Sequence, residues 1–551
     1  MFAAACLGLI AYKLFLVGRI NINWDEFLYL NVVHAHARDA MTQLFQGAHA
    51  HLFLWLTGLS GDEIDQIRAA RLVMVGLLAL TGGLVWLLGR RWLGGFAAWV
   101  PPFVYLSALP VLQHGGSFRV DSLLAPLLVA ALLCCTRRGP LRGRDWYAGV
   151  LLGVAFALSL KTVLFLPMVV LALALRKRTD DARPAGQLRA ASIASGRMLL
   201  AAFTGALLLL LLHSLAIAAP PADTLEAYGA RVAGKTLLDV PMFSRADELA
   251  HYFKWQPLPW LLIAVGAAAA LMQRRWQAAT LVLALLPIAF YRNAFPYFYV
   301  VMLAPAAILA GLAVQQLSAL LRTRVSAGLL AALVGLIAAG LLYQAKSPAR
   351  RVWEPQQASQ RALLSAVHRI FPDPVDYIDC CGMVSSFRKR NFFMSTWGME
   401  DYRARGAPFM SRVMQAAQPE FVLVNTPHLD PERKLLAGLL AEDLDRIRNF
   451  YPVYWGPIRV AGAEGRLTTG QPLELTVPFE GRYRLATESP VRIAGRLHQD
   501  GDVIRFAAGA LRLVVEATGD TAAGSHIALY IASARRAPDS PPAAGPLFVP
   551  L

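Results

Sequence analysis

Long apolar runs follow one another through the first 344 residues and are separated by short polar loops. A membrane-spanning helix needs about 20 consecutive apolar residues, and fewer where neighbouring helices bury it. The pattern therefore predicts about eleven spans. The predicted spans are residues 2–18, 68–89, 94–111, 120–135, 146–159, 160–175, 198–219, 257–273, 277–291, 295–316 and 325–343. The stretch 148–175 is too long for one span, and we expect two helices that meet near Ser159–Thr162.

The pattern changes after residue 345, where polar and apolar positions become mixed. Residues 346–456 combine helix-like stretches with the apolar run Phe421–Asn425, which predicts a small α/β domain. Residues 457–551 contain short alternating runs with turn residues between them and end in a Pro-rich tail, which is typical of a β-sandwich. The expected fold is mainly α, with a polytopic membrane domain over residues 1–345 and two extracytoplasmic domains after it.

Composition supports a membrane protein and excludes a disordered chain or a purely soluble enzyme. The chain of 551 residues is 56% hydrophobic and 16% charged, whereas soluble domains carry roughly 25% charged residues. Its five cysteines include the adjacent pairs Cys134-Cys135 and Cys380-Cys381 and form neither a disulfide framework nor a zinc pattern. The formal net charge of +17 suggests a nucleic-acid partner until its distribution is examined.

Most of this charge lies in alternate loops between the spans, which hold sixteen basic and three acidic residues. The basic groups are Arg90-Arg91, the four arginines of 137–144, the six basic residues of 176–197, Arg274-Arg275, and Arg322 with Arg324. Because basic loops remain in the cytoplasm, the charge is mainly an orientation signal, and we expect no nucleic-acid partner. The other loops and everything after Tyr343 then face outward. The Ala-, Arg- and Leu-rich composition indicates a multi-pass protein of a bacterial inner membrane with periplasmic C-terminal domains.

Two adjacent carboxylates, Asp25 and Glu26, lie just beyond the first predicted span in the first outward loop. Trp24 precedes them and an apolar and aromatic stretch follows. Such a setting raises the pKa of a carboxyl group and suits a general base. The alternative interpretation is that both carboxylates are ordinary solvent-exposed caps of a helix.

Three further charged residues lie at or inside later apolar runs. Arg119 and Asp121 mark the start of a predicted span, where boundary charges are functional candidates, and a structural ion pair between them is the alternative. Lys161 lies within the apolar run 155–168 and has no acidic neighbour in sequence. An ammonium there needs an anionic partner, and a phosphate is the natural one if no carboxylate is close. The alternative is that Lys161 extends to the membrane interface.

Aromatic side chains surround Arg292 at the outer start of the tenth predicted span. Residues 291–299 contain five aromatic side chains, Tyr297 among them. This run fits an aromatic belt at the membrane interface, and it also leaves Arg292 placed to hold a lipid phosphate.

The first outward loop holds four of the eleven histidines: His34, His36, His49 and His51. Imidazole and carboxylate groups together form a zinc-type ligand set, so a divalent metal ion is one interpretation. Polar lining of a cavity and plain surface histidines are the other two, and the residues of any metal site are left unassigned.

Four motifs resemble those of the GT-C superfamily of membrane glycosyltransferases. They agree with that superfamily in their order along the chain and in the side of the membrane on which they are predicted to lie. They are the Asp-Glu pair of the first outward loop, the Arg-x-Asp of 119–121, the Lys that follows the Leu-Ser-Leu of 158–160, and the Arg-x-x-x-Pro-Tyr-x-Tyr of 292–299. Within the superfamily, the sequence is similar to the branch that contains protein mannosyltransferases and the lipid A aminoarabinose transferase. The resemblance covers roughly residues 1–345.

The resemblance implies an enzyme that moves a hexose or pentose from a polyprenyl-phosphate donor to a lipid, glycan or protein acceptor on the outer face, with inversion. Asp25 would then activate the acceptor, with support from Glu26. Asp121 would line the sugar site, and Lys161 and Arg292 would bind the donor phosphate. The remaining implied substrate-binding residues are Arg119, His49, His51 and Tyr297.

One segment departs from the pattern of that branch, which commonly has a Glu/Lys-Pro-Pro-Leu-type sequence near the end of the first loop. Here residues 47–55 contain no proline, and His49 takes the position of the Lys. Two other functions are alternatives to transfer. A flippase for a lipid-linked glycan predicts matching broken helices and charges near the bilayer midplane, whereas the acidic residues here gather at one outer edge. An inactive glycan-binding relative is the other alternative, and the Asp25-Glu26 pair argues against it.

Overall fold

The computed structural model describes residues 2–59, 61–137, 143–176, 184–218, 234–235, 241–322, 324–345, 357–433, 435–436, 438–467, 471–507, 512–517, 525–540 and 547–548. Helices dominate the described part of residues 2–345. In chain order they are α1 (Phe2–Val17), α2 (Trp24–Ala37), α3 (His49–Phe53), α4 (Glu63–Gly89), α5 (Val100–Ser107), α6 (Leu109–His114), α7 (Val120–Thr136), α8 (Arg144–Leu158), α9 (Leu166–Ala174), α10 (Pro184–Ser214), α11 (Ala246–Trp255), α12 (Pro257–Met272), α13 (Trp276–Ala279), α14 (Pro287–Phe290), α15 (Tyr299–Leu321) and α16 (Ala327–Ala345).

Four helical segments are long and apolar enough to cross a membrane by themselves: Glu63–Gly89, Leu188–Ser214, Pro296–Leu321 and Ala327–Gln344. A fifth span results if α11 and α12, which are bent by 101° at their junction, count as one. Shorter apolar helical segments of 10–17 residues are Phe2–Val17, Val120–Thr136, Leu160–Ala174 and Trp276–Phe290. The chain is therefore a membrane protein. The predicted number of about eleven spans is not confirmed.

Breaks within the apolar runs account for part of this difference. The predicted span 94–111 consists of the 3-10 helix Gly95–Trp99, then α5, then α6. α5 ends at Ser107, Ala108 is extended and α6 begins at Leu109. A single helix through Pro110 would lack one backbone donor, and the proline ring would clash with the carbonyl group four residues earlier. The predicted break near Ser159 is confirmed, since α8 ends at Leu158 and a 3-10 helix covers Leu160–Phe165 before α9.

The helix α15 forms the centre of the membrane domain. In its segment Pro296–Leu321, 94% of the most apolar window is buried, against 17% for the corresponding window of Leu188–Ser214. Gly266 lets α12 pack closely against it, because a Cβ at that position would lie 1.7 Å from the carbonyl oxygen of Leu309. Buried helices of this kind need no polar face, and α15 is apolar on all sides.

The first soluble domain contains α17 (Ala358–Ile370), α18 (Thr396–Arg405), α19 (Met410–Ala417) and α20 (Ala441–Phe450). Its strands are β1 (Asp376–Ile378), β2 (Arg388–Lys389), β3 (Phe421–Leu423), β4 (Val453–Trp455) and β5 (Ile458–Val460). They form one sheet in the order β2-β1-β3-β5-β4, in which β1 pairs parallel with β2 and β3. β5 runs antiparallel to β3 and β4, so this sheet continues past residue 456 to Val460.

Two further antiparallel sheets follow. Their strands are β6 (Gly462–Arg466), β7 (Leu473–Thr476), β8 (Gly481–Thr487), β9 (Val491–Ile493), β10 (Arg496–His498), β11 (Val503–Phe506), β12 (Arg512–Ala517) and β13 (His526–Ile531). The strand orders are β10-β9-β12-β7 and β11-β8-β13-β6. One apolar cluster that includes Leu475, Tyr483 and Val515 lies between them. This is the arrangement of a β-sandwich.

The first soluble domain packs directly on the segment between α1 and α4. At the start of α4, Arg361 pairs with Asp62 and Asp65 at 2.9 and 2.6 Å, and Nε2 of His368 lies 3.0 Å from a carboxylate oxygen of Glu63. These contacts join α17 to the membrane domain and fix one side of the loop that carries Asp25.

A second contact joins the turn after β1 to α2. Gly382 has a φ of +79°, and a Cβ there would lie 2.7 Å from the Cβ of Asn31. At the end of α2, Arg38 donates hydrogen bonds to the carbonyl oxygens of Ser385, Ser386 and Phe387. α2 therefore lies between the membrane helices and the soluble domain.

Candidate active site

The N-terminal turn of α2 presents Asp25 and Glu26. Asn23 caps this helix, because its side chain accepts a hydrogen bond from the backbone N–H of Asp25 at 3.0 Å. The Glu26 side chain in turn accepts from the backbone N–H of Asn23 at 3.1 Å, which completes a capping box. Successive residues of a helix point in different directions, so the two carboxylates face different surroundings.

Glu26 is fully buried, and both of its carboxylate oxygens accept hydrogen bonds from protein groups. Arg71 of α4 donates to its two carboxylate oxygens at 2.8 and 2.5 Å, and the backbone N–H of Phe118 donates at 2.7 Å. Burial pushes the pKa of Glu26 upward, but the Arg71 charge and these hydrogen bonds outweigh burial, so the pKa lies below its ordinary value. The expectation of a raised pKa was wrong for Glu26, because an apolar sequence neighbourhood does not reveal a buried cation.

Asp25 belongs to a chain of four alternating charges. Arg119 Nη1 pairs with Asp25, and Arg119 Nε lies 3.5 Å from Oδ2 of Asp121. Lys161 Nζ lies 2.8 Å from Oδ1 of the same Asp121. The structure thus brings together Asp25, Arg119, Asp121 and Lys161, which come from three separate parts of the sequence. Lys161 has a carboxylate partner, so its burial alone does not require a phosphate.

Tyr297 packs against both cations of this cluster. The Cζ of Arg119 lies 3.5 Å from the centre of the Tyr297 ring, and Nζ of Lys161 lies 4.9 Å from it. Lys161 is also 5.1 Å from the ring centre of Phe298. Cations over aromatic faces are stabilised by the ring quadrupole, so this aromatic wall helps hold two positive groups in an apolar surrounding.

The members of the cluster differ in access to solvent. The side chains of Asp25 and Lys161 are 19% and 15% exposed, whereas those of Asp121 and Arg119 are 2% and 5% exposed. A reactant therefore reaches Asp25 and Lys161 first. Asp121 and Arg119 form the buried middle of the cluster and link the two accessible groups.

Arg292 lies at the contact with the soluble domain. It pairs with Glu400 of α18 at 2.5 Å, and its carbonyl oxygen accepts a hydrogen bond from Arg245. Its ion pair is thus made with another domain, while the cations of the cluster pair with Asp25 and Asp121.

His49 and His51 occupy different surroundings. The two ring nitrogens of His49 lie 3.0 and 3.1 Å from the carbonyl oxygens of Gln46 and Tyr29. Burial lowers the pKa of His49 to about 4, against the smaller opposing effect of these carbonyls. His49 is therefore neutral at neutral pH and brings no charge to a phosphate. His51 Nε2 lies 2.8 Å from Nδ1 of His213, and the His51 ring also contacts His36.

The described histidines of the first loop do not gather three ligand atoms in one place. Within the described ranges, the grouping that does so is Asp379, Cys380 and Cys381. There the carboxylate of Asp379 accepts hydrogen bonds from the backbone N–H groups of Cys381, Gly382 and Met383. Its oxygens organise the turn that contacts α2, and this arrangement does not fit a metal site.

Sequence reasoning missed two partners of the candidate residues. Arg71 lies within an apolar run, and the same argument that selected Lys161 applies to it. Glu400 lies 108 residues from Arg292, in a different domain, and nothing in the sequence pattern connects the two.

The fold of the chain resembles that of a solved structure. ArnT from Cupriavidus metallidurans bound to undecaprenyl phosphate superposes with a TM-score of 0.54 at 16% sequence identity, over 76% of this chain and 92% of that chain. The chain has a GT-C-like fold. This confirms the fold that the four motifs predicted.

Two more structures resemble the GT-C-like chain less closely. The oligosaccharyltransferase AglB from Archaeoglobus fulgidus, in complex with an inhibitory peptide and a dolichol-phosphate, has a TM-score of 0.48 at 11% identity over 76% of this chain and 69% of that chain. The arabinosyltransferase EmbB from Mycobacterium smegmatis has a TM-score of 0.43 at 12% identity over 96% and 64%. No protein-family model matches the sequence, and no curated protein sequence matches it either.

Proposed function

We propose that this protein is an integral-membrane glycosyltransferase that moves a sugar from a polyprenyl-phosphate donor to an acceptor on the outer face of the membrane. The observation that carries the proposal is the cluster of Asp25, Arg119, Asp121 and Lys161, in which an accessible carboxylate and an accessible cation are linked through two buried charges. The GT-C-like fold supports it, because the ArnT structure that resembles this chain holds undecaprenyl phosphate.

Asp25 is the proposed base. It lies at the N-terminus of α2, where the helix dipole favours a carboxylate, and Arg119 holds it in place. The acceptor hydroxyl would give its proton to Asp25 as its oxygen attacks the anomeric carbon. Attack from the side opposite the phosphate inverts that carbon. Glu26 does not take part directly, because Arg71 and two backbone N–H groups use its oxygens.

Lys161 is the proposed contact for the donor phosphate. The bond between the anomeric carbon and the phosphate oxygen breaks with its electron pair on the oxygen, so the leaving group gains negative charge. A fixed cation near that oxygen stabilises the transition state more than the ground state. Arg119 reinforces this field from the buried side. Arg292 contributes only if the phosphate replaces Glu400 as its partner. His49 contributes only if its single N–H leaves the carbonyl oxygen that it now faces.

Asp121 is the proposed sugar contact. Its Oδ2 faces Arg119 Nε at 3.5 Å but accepts no hydrogen bond from the described residues, so it keeps acceptor capacity for a sugar hydroxyl. Tyr297 and the aromatic residue after it supply the apolar wall on which a sugar ring packs. The proposal covers a hexose or a pentose as the sugar and a lipid, a glycan or a protein as the acceptor. It places the protein in a bacterial inner membrane with its soluble domains in the periplasm.

The test uses the full chain in proteoliposomes with radiolabelled polyprenyl-phosphate sugars and an extract of envelope acceptors. Asp25→Asn should reduce transfer by about 10²–10⁴-fold, the range for loss of a general base. The matched control is Asp39→Asn, which removes an exposed carboxylate of the same loop and should leave transfer unchanged. Full transfer by Asp25→Asn would refute the role of Asp25. Movement of the donor across the bilayer with no transfer would favour the flippase.

A further inference from the structure

A cavity of about 540 Å³ lies at the opposite end of the helices that carry the candidate site. Its wall includes four arginines: Arg90, Arg91, Arg137 and Arg144. Three helices connect the two ends. α4 carries Arg71 near its start and leads to Arg90, α7 carries Asp121 in its first turn and leads to Arg137, and α8 leads from Arg144 toward Lys161. The 27 residues of α4 span about 40 Å, so the cavity and the candidate site are separate.

The described wall of this cavity is strongly basic. Of the described residues that line it, none is acidic. The nearest acid in sequence, Asp145, has its carboxylate toward Arg197, at 3.9 Å, and is not part of the wall. Burial, followed by the charges of Arg137 and Arg144, lowers the pKa of Arg91 below its ordinary value. Arg90, Arg91 and Arg137 repel one another across this space, and an anion between them would relieve that repulsion.

Arg91 also has an unused hydrogen-bond donor. Its Nε is buried and has no partner within the described part of the chain. Unpaired buried donors on a charged group are costly, and native structures usually satisfy them with protein, water or ligand. Guanidinium groups bind phosphate oxygens in a bidentate manner, which makes a phosphate the best matched anion.

The rest of the wall is apolar and belongs to membrane helices. Leu87 lies at the end of the span Glu63–Gly89, and Leu133 lies on the apolar helix α7. Such a wall suits acyl chains or a glycerol backbone next to the phosphate and gives no reason to hold a free ion. Basic pockets between helices at the cytoplasmic side of a membrane bind anionic lipid headgroups, and the positive-inside rule assigns these arginines to that side.

We propose that this cavity binds the phosphate headgroup of an anionic membrane phospholipid. The arginines hold the phosphate, and the leucines contact the part of the lipid that enters the bilayer. This site is independent of the proposed sugar transfer, since it lies at the other end of α4, α7 and α8. It ties the ends of three helices that also carry the charged cluster.

Cys134 provides a probe inside the cavity. It lines the wall and is half-buried, whereas the other four cysteines are buried. The delipidated wild-type protein in detergent is treated with N-ethylmaleimide, and modification of each cysteine is followed by peptide mass spectrometry. Phosphatidylglycerol should slow modification of Cys134 in a saturable manner. Phosphatidylcholine, inorganic phosphate and a polyprenyl monophosphate at equal concentrations should protect it less.

Two double variants test the arginines. Arg91→Gln with Arg137→Gln should weaken protection by phosphatidylglycerol about 30-fold, the loss expected for two arginine contacts with an anionic headgroup. Arg322→Gln with Arg324→Gln removes the same charge from another basic loop, outside the cavity wall, and should leave protection unchanged. An unchanged unfolding temperature shows that each variant is folded.

Three results would overturn the proposal. Equal protection by phosphatidylcholine would show that charge does not matter, and equal protection by inorganic phosphate would show that the lipid does not matter. Stronger protection by the polyprenyl monophosphate would assign the cavity to that lipid instead. The wild-type comparison needs no substitution, so a double variant that fails to fold leaves the proposal testable.

Discussion

Arg71 donates through Nε and Nη2 to both carboxylate oxygens of Glu26, at 2.8 and 2.5 Å. The same guanidinium donates to the carbonyl oxygens of Val17, Ile20 and Asn21, where α1 ends. One buried side chain therefore joins the end of α1, the first turn of α2 and the span α4. Glu26 therefore helps to hold the turn of α2 that carries Asp25.

Replacing Arg71 by Met should destabilise the protein by about 3–5 kcal/mol, because it leaves the buried Glu26 carboxylate unpaired. Equilibrium unfolding in mixed detergent measures this loss. Adding Glu26→Gln should recover only part of it, since the three carbonyl groups at the end of α1 remain without their donor. The control is Arg446→Met, which breaks a 3.9 Å pair with Glu442 on a helix surface and should cost nothing measurable. A similar loss of unfolding free energy in the Arg71→Met and Arg446→Met variants would contradict this structural role of Arg71.

Replacing Lys161 by Met should weaken donor use more than acceptor use. The variant removes the accessible cation of the cluster, and we expect at least a tenfold rise in the donor KM, which corresponds to one charge-assisted contact. Lys161→Arg keeps the charge and should retain most donor affinity. Because Lys161→Met also removes a partner of Asp121, the double variant with Asp121→Asn separates the two effects. An unchanged donor KM in Lys161→Met would remove this residue from the phosphate site.

Replacing Gly382 by Ala should destabilise the contact between the soluble domain and α2. The change combines a left-handed backbone with a Cβ that lies 2.7 Å from the Cβ of Asn31. Gly406→Ala is the matched control, since Gly406 is also left-handed, at a φ of +59°, and has open space around its Cβ position. Gly406→Ala should cost about 1 kcal/mol, and Gly382→Ala clearly more. An equal loss of unfolding free energy in Gly382→Ala and Gly406→Ala would show that Asn31 does not lie this close to residue 382 in solution.

The ion pair between His368 and Glu63 should make stability depend on pH. Burial lowers the pKa of His368, but the hydrogen bond and charge of Glu63 outweigh it, so the pKa lies above its ordinary value of 6.5. A raised folded-state pKa gives stability that is fully present below pH 6.5 and is lost as pH rises through the folded-state value. The unfolding temperature of wild type should therefore fall over this range.

The variant His368→Gln should lack that component of the pH dependence. The control His526→Gln disrupts a 3.2 Å contact with Glu464 whose two side chains are 45% and 41% exposed, and it should keep the wild-type slope. Identical slopes for wild type and His368→Gln would show that this pair does not titrate with folding.

Sequence reasoning found the membrane domain, the α/β and β-rich regions and all four members of the charged cluster. Charges at or inside apolar runs are costly and therefore visible, which is why Asp25, Arg119, Asp121 and Lys161 were selected. The partners of Glu26 and Arg292 were not visible in the same way. The Glu26–Arg71 pair joins residues 45 positions apart, and its strength reverses the effect of burial on the pKa of Glu26.

Apolar patterning also overestimated continuity along the chain. Hydropathy does not distinguish one helix from two helices broken at a proline, and both read as one run of Leu, Val and Ala. The helices α5 and α6, which divide the predicted span 94–111, illustrate this limit. Arg292 pairs with Glu400 of α18, which belongs to another domain. This partner depends on how the domains pack, so no local sequence pattern predicts it.

Leu547 and Phe548 return to the region where the chain begins. The carbonyl oxygen of Leu547 accepts a hydrogen bond from Asn21, 526 positions earlier, and the Phe548 ring contacts Trp24 and Phe27. This packing beside Asp25 cannot form until the whole of the intervening chain has been synthesised. The surroundings of the candidate base therefore combine two segments that are far apart in the order of translation, and a chain cut before Leu547 lacks these contacts.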